Sequence, residues 1–269
     1  LNKNNISPKE IFIHHPDEEY VSNLQKSQLI TKIIQQVEID NHNIIDDLNE
    51  LNINDQLAEN GIIMPKNSIF TKEKEIKDLL SSLSASLSQH NKINKIYVKL
   101  NANKEEYLIA DDTVIELINT KLSLSRLTEA WIKLLFISSL KRNIKRTKVI
   151  FRTENNYKSQ IIQSPGTTES NLILEDYINI FKNYSEKCLP LPPESAYKYV
   201  EAKIKSKNEK KAFTDKWIGN KNFSKGERDN IEMKMCFGNE KEPDFFLGNN
   251  NFDQLSYRLY GPLIKALKK

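Results

Sequence analysis

The sequence is poor in cysteine and contains no long apolar run. Its only cysteines are Cys188 and Cys236, and neither has a second Cys or a His nearby at the spacing of a metal site. A disulfide scaffold and a zinc site are therefore not expected, and a reducing compartment fits this composition. No stretch approaches the roughly 18–20 apolar residues of a membrane span, and no signal-peptide pattern is present. We expect a cytoplasmic protein without membrane contact.

Two frequent catalytic signatures are also missing. Residues 164–168 resemble a phosphate-binding loop but lack the Gly-Lys-Ser/Thr that a P-loop requires. No Gly-x-Ser-x-Gly occurs, and neither cysteine lies in a catalytic motif. His14-His15 has no third metal ligand nearby. These absences disfavour nucleotide binding and nucleophilic catalysis.

Positive and negative charges nearly cancel, with 40 basic and 36 acidic side chains and a net charge of +4. The overall field is therefore weak, so any contact with DNA must come from local clustering. The chain has one dense run of basic residues, and such a cluster can contact phosphates. The alternative is that the run is a solvated loop in a lysine-rich chain. The run comprises Lys141, Arg142, Lys145, Arg146, Lys148 and Arg152.

Hydrophobic periodicity predicts a mixed α/β (α+β) protein. Helical stripes within residues 1–70 predict a helical lead-in, and residues 71–269 are predicted to form one further unit. Because the chain opens on Leu rather than Met, we expect it to be a piece of a longer protein. Between residues 71 and 151 the predicted order is α-β-β-β-α-β. The predicted ranges are a helix at 71–89, strands at 96–100, 107–110 and 113–118, a helix at 124–140 and a strand at 147–151.

Beyond residue 151 the pattern is mostly helical, with helices predicted at 172–184, 194–202, 210–218 and 252–267. The last of these carries leucines at 255, 259, 263 and 267, which is more apolar surface than a short terminal helix usually needs. It either packs on its own sheet or contributes to a surface that meets other subunits.

The order α-β-β-β-α-β is that of the PD-(D/E)xK (restriction-endonuclease-like) nuclease core. In such a nuclease, carboxylates bind Mg²⁺ and a lysine stabilises the developing charge. Asp111 or Asp112 could supply the first acid, and Lys121 stands where the lysine should. However, Asn119 occupies the second acid position and offers only a neutral oxygen. We therefore predict a degenerate site without a metal ion.

Glu116 is the one acid on the third strand that could substitute for the missing carboxylate. It lies five residues before Lys121, and an odd separation places two residues on opposite faces of a regular strand. Only a β-bulge would bring them together. An active Mg²⁺-dependent nuclease therefore stays open as an alternative.

Four short blocks follow one another in the C-terminal third of the chain. They are Leu189–Ser195 (LPLPPES), Trp217–Asn220 (WIGN), Lys225–Asp229 (KGERD) and Tyr257–Leu263 (YRLYGPL). Their order and spacing resemble the C-terminal domain of RecC, the gamma subunit of exodeoxyribonuclease V. The helix around Trp131, ahead of a strand near Phe151, also matches, and the similarity continues patchily before residue 90.

The resemblance implies a PD-(D/E)xK-like fold that has lost its nuclease residues, so that the domain is not itself an enzyme. In that family the domain serves subunit assembly and DNA handling within the RecBCD helicase–nuclease, which acts in double-strand break repair and recombination. We therefore expect RecB-type and RecD-type subunits, duplex DNA ends and separated single strands as partners. No cofactor is expected here, because Mg²⁺ and ATP are used by the partner subunits. A pure protein-interaction domain is the third alternative.

Overall fold

A computed structural model describes most of the chain beyond residue 93 and part of a helix before it. The described residues are 74, 77–79, 81–83, 85–87, 94–100, 103–140, 143–154, 156–186, 188–220, 224–238, 241–249 and 251–267. The helical lead-in predicted within residues 1–70 lies outside this set. None of the helices within these ranges is long and apolar enough to cross a membrane.

The chain divides into two compact units, which are described separately. One comprises Leu1–Gln89 with Thr153–Tyr157, and the other comprises His90–Arg152 with Lys158–Lys269. In the first unit the described residues between 74 and 87 are helical, as predicted, and Leu79, Leu83 and Leu87 are buried at helical spacing. The division predicted at residue 70 stays a prediction, because no described residue lies near it.

A five-stranded sheet has the strand order β1-β2-β3-β4-β5. Strands β1 to β3 form an antiparallel meander, as expected when short turns join consecutive strands. β4 then pairs in parallel with β3 after a helical crossover, the α1 helix. The strands are β1 Asn94–Leu100, β2 Asn103–Ala110, β3 Thr113–Ile118, β4 Arg146–Arg152 and β5 Tyr157–Gln163.

The α1 helix, Leu124–Ser139, covers one face of the sheet. Val114 and Ile118 of β3 and Val149 of β4 pack against its buried side chains, among which Trp131 is 1% exposed. Because side chains alternate along a strand, Glu116 lies on this same face of β3. Thr113 and Ile115 lie on the opposite face.

The rest of the second unit, residues 164–267, is mainly helical and has a core of its own. We call it the helical half, and we call residues 94–152 and 158–163, with the sheet and α1, the sheet half. Trp217, Phe213 and Phe246 lie at the centre of this core, with the Trp217 and Phe246 rings 4.9 Å apart. The helices are α2 Thr167–Tyr184, α3 Pro193–Ile204, α4 Glu209–Ile218, α5 Ile231–Phe237, α6 Asp244–Leu247 and α7 Phe252–Ala266. A two-residue pairing of β6 Gly219–Asn220 with β7 Ser224–Lys225 and a 3-10 helix Glu227–Asp229 lie between α4 and α5.

Most predicted elements are confirmed within a few residues, but two differences have physical causes. β2 begins at Asn103 rather than 107, because backbone pairing with β1 extends the strand through polar residues. β5 was not predicted, because only Tyr157 and Ile162 are buried in it and the polar residues between them hide the alternation of a strand. The α7 helix continues through Pro262. Its Leu255 and Leu263 are buried in the two cores, so α7 packs within its own unit.

Candidate functional site

Asp111 and Asp112 form the two-residue loop between β2 and β3. Ala110 pairs with Thr113 on either side of this loop. Asp111 has a φ of 52° and is exposed. Two-residue hairpin loops often require positive φ at their first position, and Asp tolerates the left-handed region better than most residues. The turn geometry therefore accounts for Asp111 without a catalytic role.

The Asp112 carboxylate is bound by two cations from the start of β4. Its oxygens lie 3.1 Å from Lys145 Nζ and 3.9 Å from Arg146 Nη2. The Lys145 N–H also donates to the Asp112 carbonyl at 2.8 Å. The hydrogen bond from Lys145 is the main cause that lowers the pKa of Asp112, and burial opposes it only in part. The charge of the ionised Asp112 carboxylate is thus balanced by Lys145 and Arg146, so the carboxylate is not available to another cation.

Thr113 fixes the side of the sheet on which this cluster lies. Its hydroxyl donates to Asp112 at 3.1 Å and accepts from Arg146 Nε at 2.9 Å. Since Thr113 and Glu116 lie on opposite faces of β3, Asp112 engages the face turned away from α1. We refer to Asp112, Thr113, Lys145 and Arg146 as the Asp112 cluster.

Glu116 meets a different partner on the α1 side of the sheet. Its carboxylate accepts from Lys133 Nζ at 2.7 Å, and Lys133 also lies 3.2 Å from Glu129. Burial alone would lower the pKa of Lys133, but the hydrogen bonds to Glu116 and Glu129 outweigh it and raise that pKa. Glu116 and Asp112 therefore serve separate ion pairs on opposite faces. Asn119 and Lys121 follow the end of β3, where Asn119 is half-buried and Lys121 is exposed.

Asp112 and Glu116 are not placed to hold one Mg²⁺ ion together. Magnesium in proteins is usually held by one or two carboxylates and several waters, whereas these two carboxylates lie on opposite faces of the sheet and each is paired with a cation. Asn119 offers only a neutral amide oxygen. Among the described residues no group of three or more His, Cys, Asp or Glu side chains is placed to hold a metal ion.

The basic run divides into accessible and inaccessible positions. Lys145 and Arg146 have side chains 67% and 48% exposed, whereas Lys148 is only 6% exposed and Arg152 is half-buried. Burial lowers the pKa of Lys148, and the charge of Arg146 adds to that effect. Lys141 and Arg142 lie outside the described residues. Within the described part of this basic run, the cations that phosphate could reach directly are therefore Lys145 and Arg146.

In the helical half, the LPLPPES and KGERD blocks bind each other through Glu227. This carboxylate is 4% exposed and accepts from the N–H groups of Glu194 at 2.9 Å and Ser195 at 2.7 Å, and from the Ser195 hydroxyl at 2.6 Å. The first N–H groups of a helix have no partner within it, and an anion at that end is favoured by the helix dipole. Glu227 therefore caps α3 from a distant part of the sequence.

Glycines allow the WIGN and KGERD blocks to come into close backbone contact. A Cβ on Gly226 would lie 2.3 Å from the Trp217 carbonyl oxygen, so only glycine fits there. Gly219 has a φ of 73° and ends α4 with an N–H that donates to the Asp215 carbonyl. These blocks are thus explained by packing and capping.

A hydrogen-bond chain connects α1, α2 and α7. Trp131 Nε1 donates to the Tyr177 hydroxyl at 3.1 Å, and that hydroxyl donates to the Leu259 carbonyl at 2.7 Å. Burial raises the pKa of Tyr177 to about 12. The YRLYGPL block is therefore tied to the sheet half through Tyr177, a residue that no sequence pattern singled out.

A cleft of about 1210 Å³ is lined by Glu129, Ile132 and Lys133 of α1 and by Glu194 and Glu227 of the LPLPPES and KGERD blocks. Large apolar side chains are also exposed outside the cleft on α2, where Leu172, Ile178 and Phe181 are 61%, 50% and 72% exposed. Exposed apolar side chains also occur on α5, where Ile231 and Met235 are 69% and 81% exposed. The α2 face is thus one surface that a partner could cover, whereas Leu255 and Leu263 of α7 are part of the cores.

Comparison with known protein families gives a match to the RecC C-terminal domain over residues 69–204. The match covers about half of the chain, from the predicted helix at 71–89 through α3, and it includes the LPLPPES block. The WIGN, KGERD and YRLYGPL blocks lie after it. No curated protein matches the chain.

The fold and the site define a mixed α/β domain in which Asp112 and Glu116 are each paired with a cation. The chain belongs to the RecC C-terminal domain family. The family indicates a role in the RecBCD exodeoxyribonuclease V complex, with RecB, RecD and DNA as its partners, and hence in DNA repair.

Proposed function

We propose that this chain is a non-catalytic domain that docks RecB-type or RecD-type subunits and handles DNA ends and separated strands. Its fold would be a PD-(D/E)xK nuclease core whose site has degenerated. The domain would act in the cytoplasm, where bacterial DNA lies. The observation that carries the proposal is the separation of Asp112 and Glu116, each bound to a cation on its own face of the sheet. Mg²⁺ and ATP would then serve the partner subunits alone.

DNA contact is assigned to the exposed cations Lys145 and Arg146. Because Asp112 offsets part of their charge, removing its carboxylate should strengthen phosphate binding and removing the cations should weaken it. Two oppositely directed changes in one cluster separate a phosphate contact from a general effect on folding.

The test uses the full-length protein assembled with its RecB-type and RecD-type partners. Lys145→Gln with Arg146→Gln should weaken DNA-end binding and reduce the log–log salt slope by about 1–2. Asp112→Asn should tighten binding. Lys210→Gln with Lys211→Gln is the matched control, since it removes the same charge from exposed positions of α4 and should leave the slope unchanged. Equal effects of the two double variants would contradict a DNA contact at the Asp112 cluster and favour the protein-interaction alternative.

Subunit docking is assigned to the exposed apolar side chains of α2. Ile178→Ser with Phe181→Ser should reduce the recovery of assembled complex without changing the melting temperature of the chain, because both side chains are already in water. Leu140→Ser, at the exposed end of α1, serves as the control. Full assembly of the double variant would place the docking surface elsewhere.

A further inference from the structure

The α1 helix presents one continuous stripe of side chains to the cleft of about 1210 Å³, which we call the α1 cleft. The residues of this stripe follow one another at spacings of three or four, so they share one face of the helix. From its first to its last residue the stripe is about 16 Å long, or about three helical turns. The stripe consists of Ser125, Thr128, Glu129, Ile132, Lys133 and Phe136.

Apolar side chains contribute much of the lining of the α1 cleft. Among them Ile132 is 43% exposed although it is large and apolar. The volume of the cleft exceeds the roughly 300–1,000 Å³ of pockets that hold small molecules. The size and the lining together favour a segment of polypeptide over a small ligand. The apolar side chains include Leu124, Ile132, Phe136, Leu174 and Met233.

Negative charge predominates among the charged residues that line the α1 cleft. Four of the five are glutamates, and they come from three different parts of the chain. Glu232 is exposed and the Glu194 side chain is 46% exposed, so both are accessible to a partner. The charged lining residues are Glu129, Glu194, Glu227, Glu232 and Lys133.

Ion pairs around the α1 cleft leave this excess of negative charge in place. Glu129 pairs with Arg126 at 3.0 Å, and Glu194 pairs with Lys216. Lys133 is shared between Glu129 and Glu116, so it does not balance a second lining carboxylate in full. Counted with these partners, five carboxylates meet three cations. A polyanion such as DNA is disfavoured there, whereas a cationic partner is complementary.

We propose that the α1 cleft binds a basic amphipathic helix of a partner protein. The apolar face of that helix would lie on Ile132 and Met233, and its Lys or Arg side chains would meet Glu194 and Glu232. The strand β2 contributes only Tyr107, whose backbone is paired with Ile96 of β1. The cleft therefore offers helix side chains to a partner, as in the recognition of an amphipathic helix by a groove.

This site adds to the subunit docking proposed for α2 and does not depend on it, because its test needs no partner subunit. The purified 269-residue chain is immobilised, and binders are selected from a random display library of peptides about 12 residues long, or about three helical turns. Enriched peptides should be rich in Lys or Arg and should carry apolar residues at helical spacing. The most enriched peptide is then labelled with a fluorophore, and fluorescence anisotropy measures its Kd.

Variants locate the bound peptide. Ile132→Ser and Glu232→Lys should each weaken binding at least about fivefold and keep the melting temperature of wild type, because both side chains are already exposed. Ile178→Ser and Glu175→Lys make the same changes at exposed positions of α2 outside the cleft and should leave the Kd unchanged.

Three results would overturn the proposal. The first is a selection that enriches no peptide, or that enriches acidic or uncharged ones. The second is an equal effect of the cleft variants and their α2 controls on the Kd. The third is self-association of the chain that Ile132→Ser abolishes, which would assign the cleft to a second copy.

Discussion

The sheet half and the helical half of the second unit hold their charged residues in different ways. In the sheet half, Asp112 and Glu116 form ion pairs at partly exposed positions. In the helical half, Glu227 is buried and accepts three hydrogen bonds at the start of α3. An exposed ion pair contributes little to stability, whereas a buried anion that satisfies helix N–H groups cannot be removed without leaving them unpaired.

This difference separates Glu227, which stabilises the fold, from the Asp112 cluster, which we propose contacts DNA. Glu227 connects two sequence blocks that must meet for the helical half to fold. The Asp112 cluster is not needed for folding to the same degree, so its exposed cations can take part in the proposed contacts with DNA. Substitution of Glu227 should therefore lower stability, whereas substitutions in the Asp112 cluster should mainly change DNA binding.

The largest effect is expected from the two buried tryptophans, one in each half. Trp131→Ala and Trp217→Ala should each cost about 3–5 kcal/mol of unfolding free energy, because each leaves a large cavity in a core. Chemical denaturation of both variants measures this cost, with the corresponding Trp→Phe variants as milder controls. A loss below about 1 kcal/mol for either alanine variant would be incompatible with the described packing.

A smaller effect should distinguish Glu227 from Glu116. Glu227→Ala should cost about 2–3 kcal/mol, since the N–H groups of Glu194 and Ser195 lose their acceptor. Glu116→Ala should cost less than about 1 kcal/mol, because its partner Lys133 keeps Glu129. Glu227→Gln, which retains an oxygen acceptor, should fall between them. Equal costs for the two alanine variants would remove the contrast between the halves.

The smallest effect concerns the pH dependence of the Asp112 cluster. The pKa of Asp112 is lowered in the folded chain, chiefly by Lys145, so its ion pair stabilises the fold above the ordinary pKa near 3.8. That contribution is lost as the pH falls through the lowered folded-state pKa. Asp112→Asn should therefore lower stability slightly at neutral pH and reduce the loss of stability on acidification below about pH 4. An identical pH profile for variant and wild type would contradict the ion pair.

Local patterns in the sequence were sufficient for most of the fold. The helical stripe around Trp131 and the alternation in β3 are local signals, and both elements begin and end within a residue or so of their predicted limits. The partners of charged side chains could not be predicted, because the contacts of Asp112 with Lys145 and of Glu227 with Ser195 join residues more than thirty positions apart. A periodicity argument contains no information about such pairs.

The candidate site shows the same limit. The prediction that Asn119 occupies the position of an acid rests on its spacing to Lys121 alone, and it stays a prediction. That Asp112 is neutralised by two members of the basic run became visible only once β3 and β4 were paired in parallel. Similarly, the apolar pattern of α7 gave no indication of whether it faces a core or a partner, whereas its buried Leu263 assigns it to the core.

Metal-dependent cleavage is the most direct test of the proposed non-catalytic role. The purified 269-residue chain is incubated with Mg²⁺ or Mn²⁺ and end-labelled linear DNA, single-stranded and double-stranded, beside Asp112→Asn and Lys121→Ala variants. Our account predicts that the DNA remains intact with all three proteins. Metal-dependent degradation by the wild type that either variant abolishes would contradict it, and would establish the Asp112 side of the sheet as an active nuclease site.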